Sequence, residues 1–149
     1  SHAIVPFYGQ GMNSGFEDIT IFDQMLDEHG DDWLGFFKAF EKSRKPNADA
    51  IADLALQNFI EMRDKVADEE FLLRKKIEAK MSERFPDKWI PLYSQVTFTH
   101  IPYADAMARG HRQDAIMNTI MEIPGIRKNW DSEEMMEKIE VVLGQSDKL

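Results

Sequence analysis

The sequence predicts a mainly α chain. Apolar residues recur at three- and four-residue spacing in about five or six separate windows. Strand-like character is confined to one short extended segment near residues 89–99, too little for a sheet, and no repeat or low-complexity stretch interrupts the pattern. The 149 residues suit one domain of ordinary size, and a hydrophobic content of 43% is enough to bury a core.

The chain opens on Ser1-His2-Ala3-Ile4-Val5-Pro6-Phe7, an apolar run without a polar lead-in, so a piece of a longer protein is expected. A glycine-rich loop, Tyr8 to Gly15, follows. Ser14 and Glu17 have capping-box spacing, with Asn13 an alternative N-cap, and Phe16, Ile19, Phe22, Met25 and Leu26 form a helical face that closes at His29-Gly30. Asp31 or Asp32 caps a short second helix with Trp33, Phe36, Phe37 and Phe40, expected to stop before Pro46. Asn47 then caps a third, with Ile51, Leu54, Ala55, Asn58, Met62 and Val66 on one face. A fourth carries Leu73, Ile77 and Met81 and ends near Phe85-Pro86; it joins the third as a bent pair around Asp68-Glu69-Glu70 or stands apart.

Ile90-Pro91-Leu92-Tyr93 reads as extended by the proline rule, and Val96 to Thr99 alternates. A helix is expected from about Tyr103 to Met121 with Met107, Ile116 and Ile120, then a break at Pro124-Gly125. Asp131 or Ser132 caps the last helix, which carries Met135, Met136, Ile139, Val142 and Leu143 and is closed by Gly144. The methionines Met117, Met121, Met135 and Met136 are expected to pack as core rather than to bind a target helix.

Composition narrows the function. Lys plus Arg total 18 against 27 Asp plus Glu, a net charge of −9, which opposes nucleic-acid or anionic-membrane binding. The absence of cysteine removes disulfides, thiolate nucleophiles and cysteine–zinc sites, and is compatible with a reducing compartment. No apolar run reaches the ~18 residues of a membrane span. His2, His29, His100 and His111 do not pair at metal-ligand spacing, and no nucleophile elbow is present, so neither a metal nor a catalytic side chain is assigned.

Gly9, Gly11 and Gly15 nearly match a dinucleotide fingerprint, but the third glycine is one place late and helices follow where a second strand is required. A complete nucleotide-binding unit is therefore rejected. What remains is a loop whose glycines permit close backbone approach, backed by a helix N-terminus with free N–H groups; a tight turn without a ligand fits the spacing equally well. Asn58 on an apolar stripe is either a core amide bonded to backbone or a ligand contact, and Tyr93 is open in the same way.

The run from His2 to Asn13, continued by Gly15-Phe16-Glu17-Asp18, resembles the second flavin-binding motif of the aromatic hydroxylases that use FAD and a reduced nicotinamide. Within that family it is most similar to the members that act on kynurenine. The likeness continues in Asp53-Leu54, in residues 58–63 and in residues 90–98, and weakly through Ile101-Pro102-Tyr103 and Ala104-Asp105-Ala106. It covers roughly residues 1 to 111, with the motifs in the same order.

The resemblance implies the C-terminal helical region of a flavoprotein monooxygenase, whose Rossmann-type FAD domain and substrate-domain sheet lie upstream, outside this chain. Residues 1–30 would be the flavin-side loop and its helix, the tail of the FAD-binding domain; residues 31–149 would close the substrate pocket. The implied reaction converts L-kynurenine to 3-hydroxykynurenine with NADPH and O2, a step of tryptophan degradation, and this portion alone is expected to be inactive. Carried over by position, Pro6, Gly9, Gly11, Met12 and Asn13 lie on the cofactor side, with Gly11 to Asn13 at the pyrimidine edge of the flavin. Pro6, Phe7 and Tyr8 would line the substrate pocket beside the ring, Tyr8 at a position where the family varies. Asn58 and Tyr93 match polar contacts to the amino-acid end of kynurenine, and Met62 an apolar wall. The tail from Val141 to Leu149 lacks the hydrophobic anchor of membrane-attached members, so a cytoplasmic enzyme is expected. Kynurenine and the upstream FAD domain are the expected partners, and the isolated portion is expected to self-associate. Hydroxylation of another aromatic acid, or a stand-alone helical interaction module without a cofactor, are the alternatives.

Overall fold

The computed structural model describes residues 4–65 and 67–146; His2, Val66 and residues 147–149 of the tail, all invoked above, lie outside them. The described residues form seven helices and no strand: α1 (Gly11–His29), α2 (Trp33–Asp64), α3 (Glu69–Arg84), α4 (Leu92–Phe98), α5 (Tyr103–Met121), α6 (Ile126–Asn129) and α7 (Glu133–Ser146). The mainly α class holds.

Helix α1 starts earlier than the capping-box spacing suggests. Gln10 takes the N-cap, and the first intrahelical bond runs from the Ser14 N–H to the Gln10 carbonyl at 2.9 Å. The Gln10 side chain is held by the Asn13 amide (2.9 Å) and the Tyr103 hydroxyl (3.4 Å). Ser14 is fully buried inside the helix, and Glu17 reaches not the cap but Arg44 of α2. This rotates the expected apolar face. Glu17 and Asp18 turn toward α2, where Arg44 is buried at 6% exposure and donates to both, at 2.8 and 2.7 Å. Phe16 and Ile19 stand exposed in consequence, whereas Phe22 packs edge-on to Phe36 and Phe40. Gly30, at φ 54, ends the helix in backbone that a side chain would strain.

The two helices expected on either side of Pro46 are one helix of 32 residues. Asp32 caps it by accepting from the Gly35 N–H at 3.0 Å. A proline inside a helix removes one hydrogen bond and crowds the preceding turn, which costs about 3 kcal/mol. Packing on both sides overrides that cost: Phe36 and Arg44 against α1, and Ala50, Ile51 and Leu54 in a core shared with Tyr103 and Ala106 of α5. Asn47 does not begin a helix. Its amide donates to the Ser43 carbonyl (3.1 Å), and its oxygen accepts from the Ala104 N–H (3.1 Å), which supplies a cap to α5 from another helix. α3 is separate from α2, with its own cap in Asp68, which accepts from the Phe71 N–H at 2.9 Å.

The expected extended segment shrinks to Trp89-Ile90-Pro91, because residues 92–98 are helical. Pro91 is the N-cap, at φ −53 and ψ 142, so the proline that signalled extension in fact opens a helix. The short alternation at 96–99 was a coincidence of pattern: Val96 is buried and Phe98 is 75% exposed. α5 matches its expected bounds. Gly125 (φ 86) turns the chain into α6, and Ser132 caps α7 by accepting from the Met135 N–H at 3.3 Å. α7 runs through Gly144 to Ser146 instead of closing there.

Two cores result. Ile77 and Met81 of α3, Trp89, and α7 residues such as Ile139 and Leu143 meet the C-terminal half of α5, and Met117, Met121, Met135 and Met136 are buried there as expected. The second core joins α2, Val96 of α4 and the N-terminal half of α5. α5 spans both, and the cleft described next opens along it.

Candidate functional site

The loop before α1 is pinned to α2 from below. The Asn58 amide donates to the Phe7 carbonyl at 2.8 Å, and the Phe7 ring lies 4.6 Å from that of Phe59. A half-buried amide on a helix stripe thus bonds to distant backbone, one of the two readings its position left open. One residue on, Tyr8 turns its ring over Tyr93 of α4, with centroids 5.6 Å apart at 26°. Gly9, at φ 67, then lets the chain swing into α1.

Tyr8, Asn58 and Tyr93 line one cleft of about 720 Å³ between α2, α3, α4 and α5. Its walls include Glu61 from α2 and Lys65 at its C-cap, Arg74 and Glu78 from α3, Trp89, and Gln113 from α5. Burial pushes the Tyr8 phenol up to about 12, and the negative charges of Glu61 and Glu78 add to the effect. The hydroxyl is therefore a neutral donor and acceptor throughout the neutral range. The cleft carries both signs of charge, so it suits a ligand with both an ammonium and a carboxylate better than a purely apolar one.

The remaining candidates fall elsewhere. Met62 is 56% exposed on α2 and is not part of the cleft wall; Pro6 is exposed, and Phe7 does not line the cleft but holds one of its lining residues, Asn58, through its carbonyl. Gly11, Met12 and Asn13 form the first turn of α1 rather than a loop. Their N–H groups precede the first intrahelical bond, and Gly11 has nothing within 4 Å of where a Cβ would stand. An open, glycine-faced helix N-terminus of this kind fits the anionic edge of a flavin. Residues 8–11 connect the two places: the cleft at one end, the free helix N-terminus at the other.

Sequence reasoning missed Glu61, Glu78, Trp89 and Gln113. Glu61 was within reach, since it follows Asn58 by three residues on the same helix turn. Glu78 and Gln113 come from helices whose approach no local pattern specifies. Trp89 Nε1 in the cleft wall, and Gln95 Oε1 behind it, are buried without a hydrogen-bond partner among the described residues.

No protein-family model matches the chain. Over 139 residues, 93% of its length, it is 57% identical to the kynurenine 3-monooxygenase of Flavobacterium psychrophilum. It is 56% identical over 138 residues to the enzyme of that name from Flavobacterium johnsoniae, and 47% identical over 121 residues, 81% of the chain, to that from Caenorhabditis elegans. The chain spans about 31% of the length of the two Flavobacterium proteins and 26% of the Caenorhabditis one.

Proposed function

We propose that this chain, related to the kynurenine 3-monooxygenases and spanning about 31% of their length, is the C-terminal, pocket-closing portion of a flavin-dependent enzyme that hydroxylates L-kynurenine to 3-hydroxykynurenine with NADPH and O2. The observation that carries the reading is the convergence of Tyr8, Asn58 and Tyr93, from three separate stretches of sequence, on one cleft. That cleft is linked by Gly9 and Gln10 to a helix N-terminus suited to a flavin edge.

In this reading residues 1–30 are the tail of the FAD-binding domain and residues 31–149 shape the substrate pocket. FAD, reduced by NADPH, supplies the oxygen chemistry, and this chain contributes no nucleophile. Its residues bind, orient and exclude water. Backbone N–H groups at Gly11, Met12 and Asn13 offer hydrogen bonds to negative charge at the pyrimidine edge. Pro6, Phe7 and the Phe59 ring give an apolar border that helps keep water from the reacting centre. Asn58 commits its amide donor to the Phe7 carbonyl, which leaves its oxygen to accept from the substrate ammonium. The Tyr93 hydroxyl serves the same amino-acid end, and Tyr8 closes the cleft above it. Met62, exposed in this chain, contributes its apolar wall only against the rest of the enzyme. A cytoplasmic setting belongs to the same proposal; among the described residues no helix is long and apolar enough to cross a membrane.

Gly11→Val in the full-length protein tests the cofactor side. Among the described residues nothing obstructs a side chain there, so a loss of flavin is expected to report contact with a group outside them. The expected result is flavin content reduced at least about tenfold, equivalent to about 1.4 kcal/mol, with Gly15→Ala, equally open and one turn on, unaffected. Equal flavin retention in the two variants would remove the ring-contact role.

A further inference from the structure

Ile90 sits between the buried Trp89 and Pro91, the residue that opens α4, and its carbonyl receives two side-chain donors from two different helices. Gln95 Nε2 of α4 donates to it at 2.8 Å, and so does Gln113 Nε2 of α5, also at 2.8 Å. The two carboxamides also bond to each other, Gln95 Nε2 to Gln113 Oε1 at 3.2 Å. Gln95 is 2% exposed, so its own two bonds form largely away from water, where a missing partner is felt, whereas the bond from Gln113 to Ile90, itself 40% exposed, faces solvent. One residue beyond Pro91, Leu92 lies against Gly110 of α5 so closely that a Cβ there would fall 2.7 Å from Leu92 Cδ2. Leu92 and Ile90 are thus both registered on α5, and Tyr93 is the next residue. The Tyr93 ring is half exposed and touches only rings, Tyr8 across the cleft and Phe98 at the end of its own helix, among the described aromatic contacts.

We propose that Gln113 and Gln95 are positioning residues that set the place of Tyr93 over Tyr8 by clamping the Ile90 carbonyl from α5 and α4. Gln113 itself lines the cleft, so the clamp forms part of the wall that Tyr93 completes. The clamp is redundant. Either carboxamide alone leaves one donor on Ile90, whereas loss of both leaves the side-chain clamp empty. Single substitutions are therefore mild, and the pair is worse than their product.

The kinetic consequence rests on Tyr93 being a substrate contact; the geometric one does not, and the test reads both. In the full-length protein, Gln95→Met and Gln113→Leu keep volume while removing the donors. Each is expected to raise KM for kynurenine about two- to threefold and the double variant at least about tenfold, with kcat changed less. A crystal structure of the double variant is expected to show the Tyr8 and Tyr93 rings displaced from their 5.6 Å stack; if the double variant does not fold, the single variants carry both readouts at smaller amplitude. Displaced rings with raised KM support the clamp and the substrate role together. Displaced rings with unchanged KM support the clamp and overturn the substrate role of Tyr93. Rings in place overturn the clamp whatever KM does, and a lower melting temperature with rings and KM unchanged would assign the two glutamines to stability alone.

Discussion

Tyr8 shows how one side chain reports on its surroundings. Its phenol is raised from 10.0 to about 12, first by burial and then by Glu61, Glu78 and Tyr93. A group that holds its proton more tightly when folded stabilises the fold fully below its unfolded value, and that contribution is lost as pH rises from about 10 to about 12. Replacing Tyr8 by Phe removes the titration. The melting temperature of the parent is expected to fall more steeply than that of Tyr8→Phe above pH 10; parallel curves would place Tyr8 in solvent. At this scale the sequence was partly legible. The motif at residues 2–13 marked Tyr8, and Asn58 stood out as an amide on an apolar stripe. The partner of Asn58, a carbonyl 51 residues away, was not legible, because such a contact is set by tertiary approach.

The helices were legible where apolar spacing was long and caps were local. α5 and the cores of α3 and α7 follow their patterns, and Asp32 and Ser132 cap as their positions suggest, whereas Asp68, read only as part of a bend, caps α3. Reading failed where a local rule met a stronger tertiary one. Pro46 promised a break, but helix–helix packing on both sides carries α2 through it. Residues 92–98 form too short a window for periodicity to decide, and Pro91 signals both extension and helix entry. Asn47 was read as the cap of its own helix and instead caps α5. That assignment predicts that Asn47→Ala destabilises by about 1 kcal/mol, the usual worth of an N-cap, and that Asn47→Asp, which keeps the accepting oxygen, recovers most of it. Urea unfolding of the two variants checks this. An equal loss in both would locate the effect in the bond to the Ser43 carbonyl rather than in the cap.

Among the described residues, α1 and the start of α2 leave an apolar surface that the other helices do not cover. Met12, Phe16 and Ile19 form an exposed stripe along α1, and Trp33, Leu34 and Phe37 stand exposed at the start of α2. The same α1 turns Glu17 and Asp18 toward Arg44, which leaves Met12, Phe16 and Ile19 on its outward side beside exposed polar residues such as Thr20 and Asp23. A chain that spans about 31% of its relatives and exposes such a stripe is read most simply as one side of a larger interface. The helix N-terminus proposed to meet the flavin edge lies at the end of this stripe, and the cleft proposed for kynurenine lies across the loop from it.

That two-sided arrangement is the central claim, and substrate kinetics on the full-length protein test it most directly. If Asn58 and Tyr93 hold the amino-acid end of kynurenine as proposed, Asn58→Ala and Tyr93→Phe each remove one polar contact to a charged group, worth about 1.5–3 kcal/mol, or roughly a 10- to 150-fold loss in kcat/KM. The loss is expected mostly in KM, with flavin content unchanged and more oxygen released as peroxide, since a loosely held ring is poorly placed to react. A normal KM in both variants, accompanied by a large drop in melting temperature, would contradict the account and leave Asn58 and Tyr93 as structural residues.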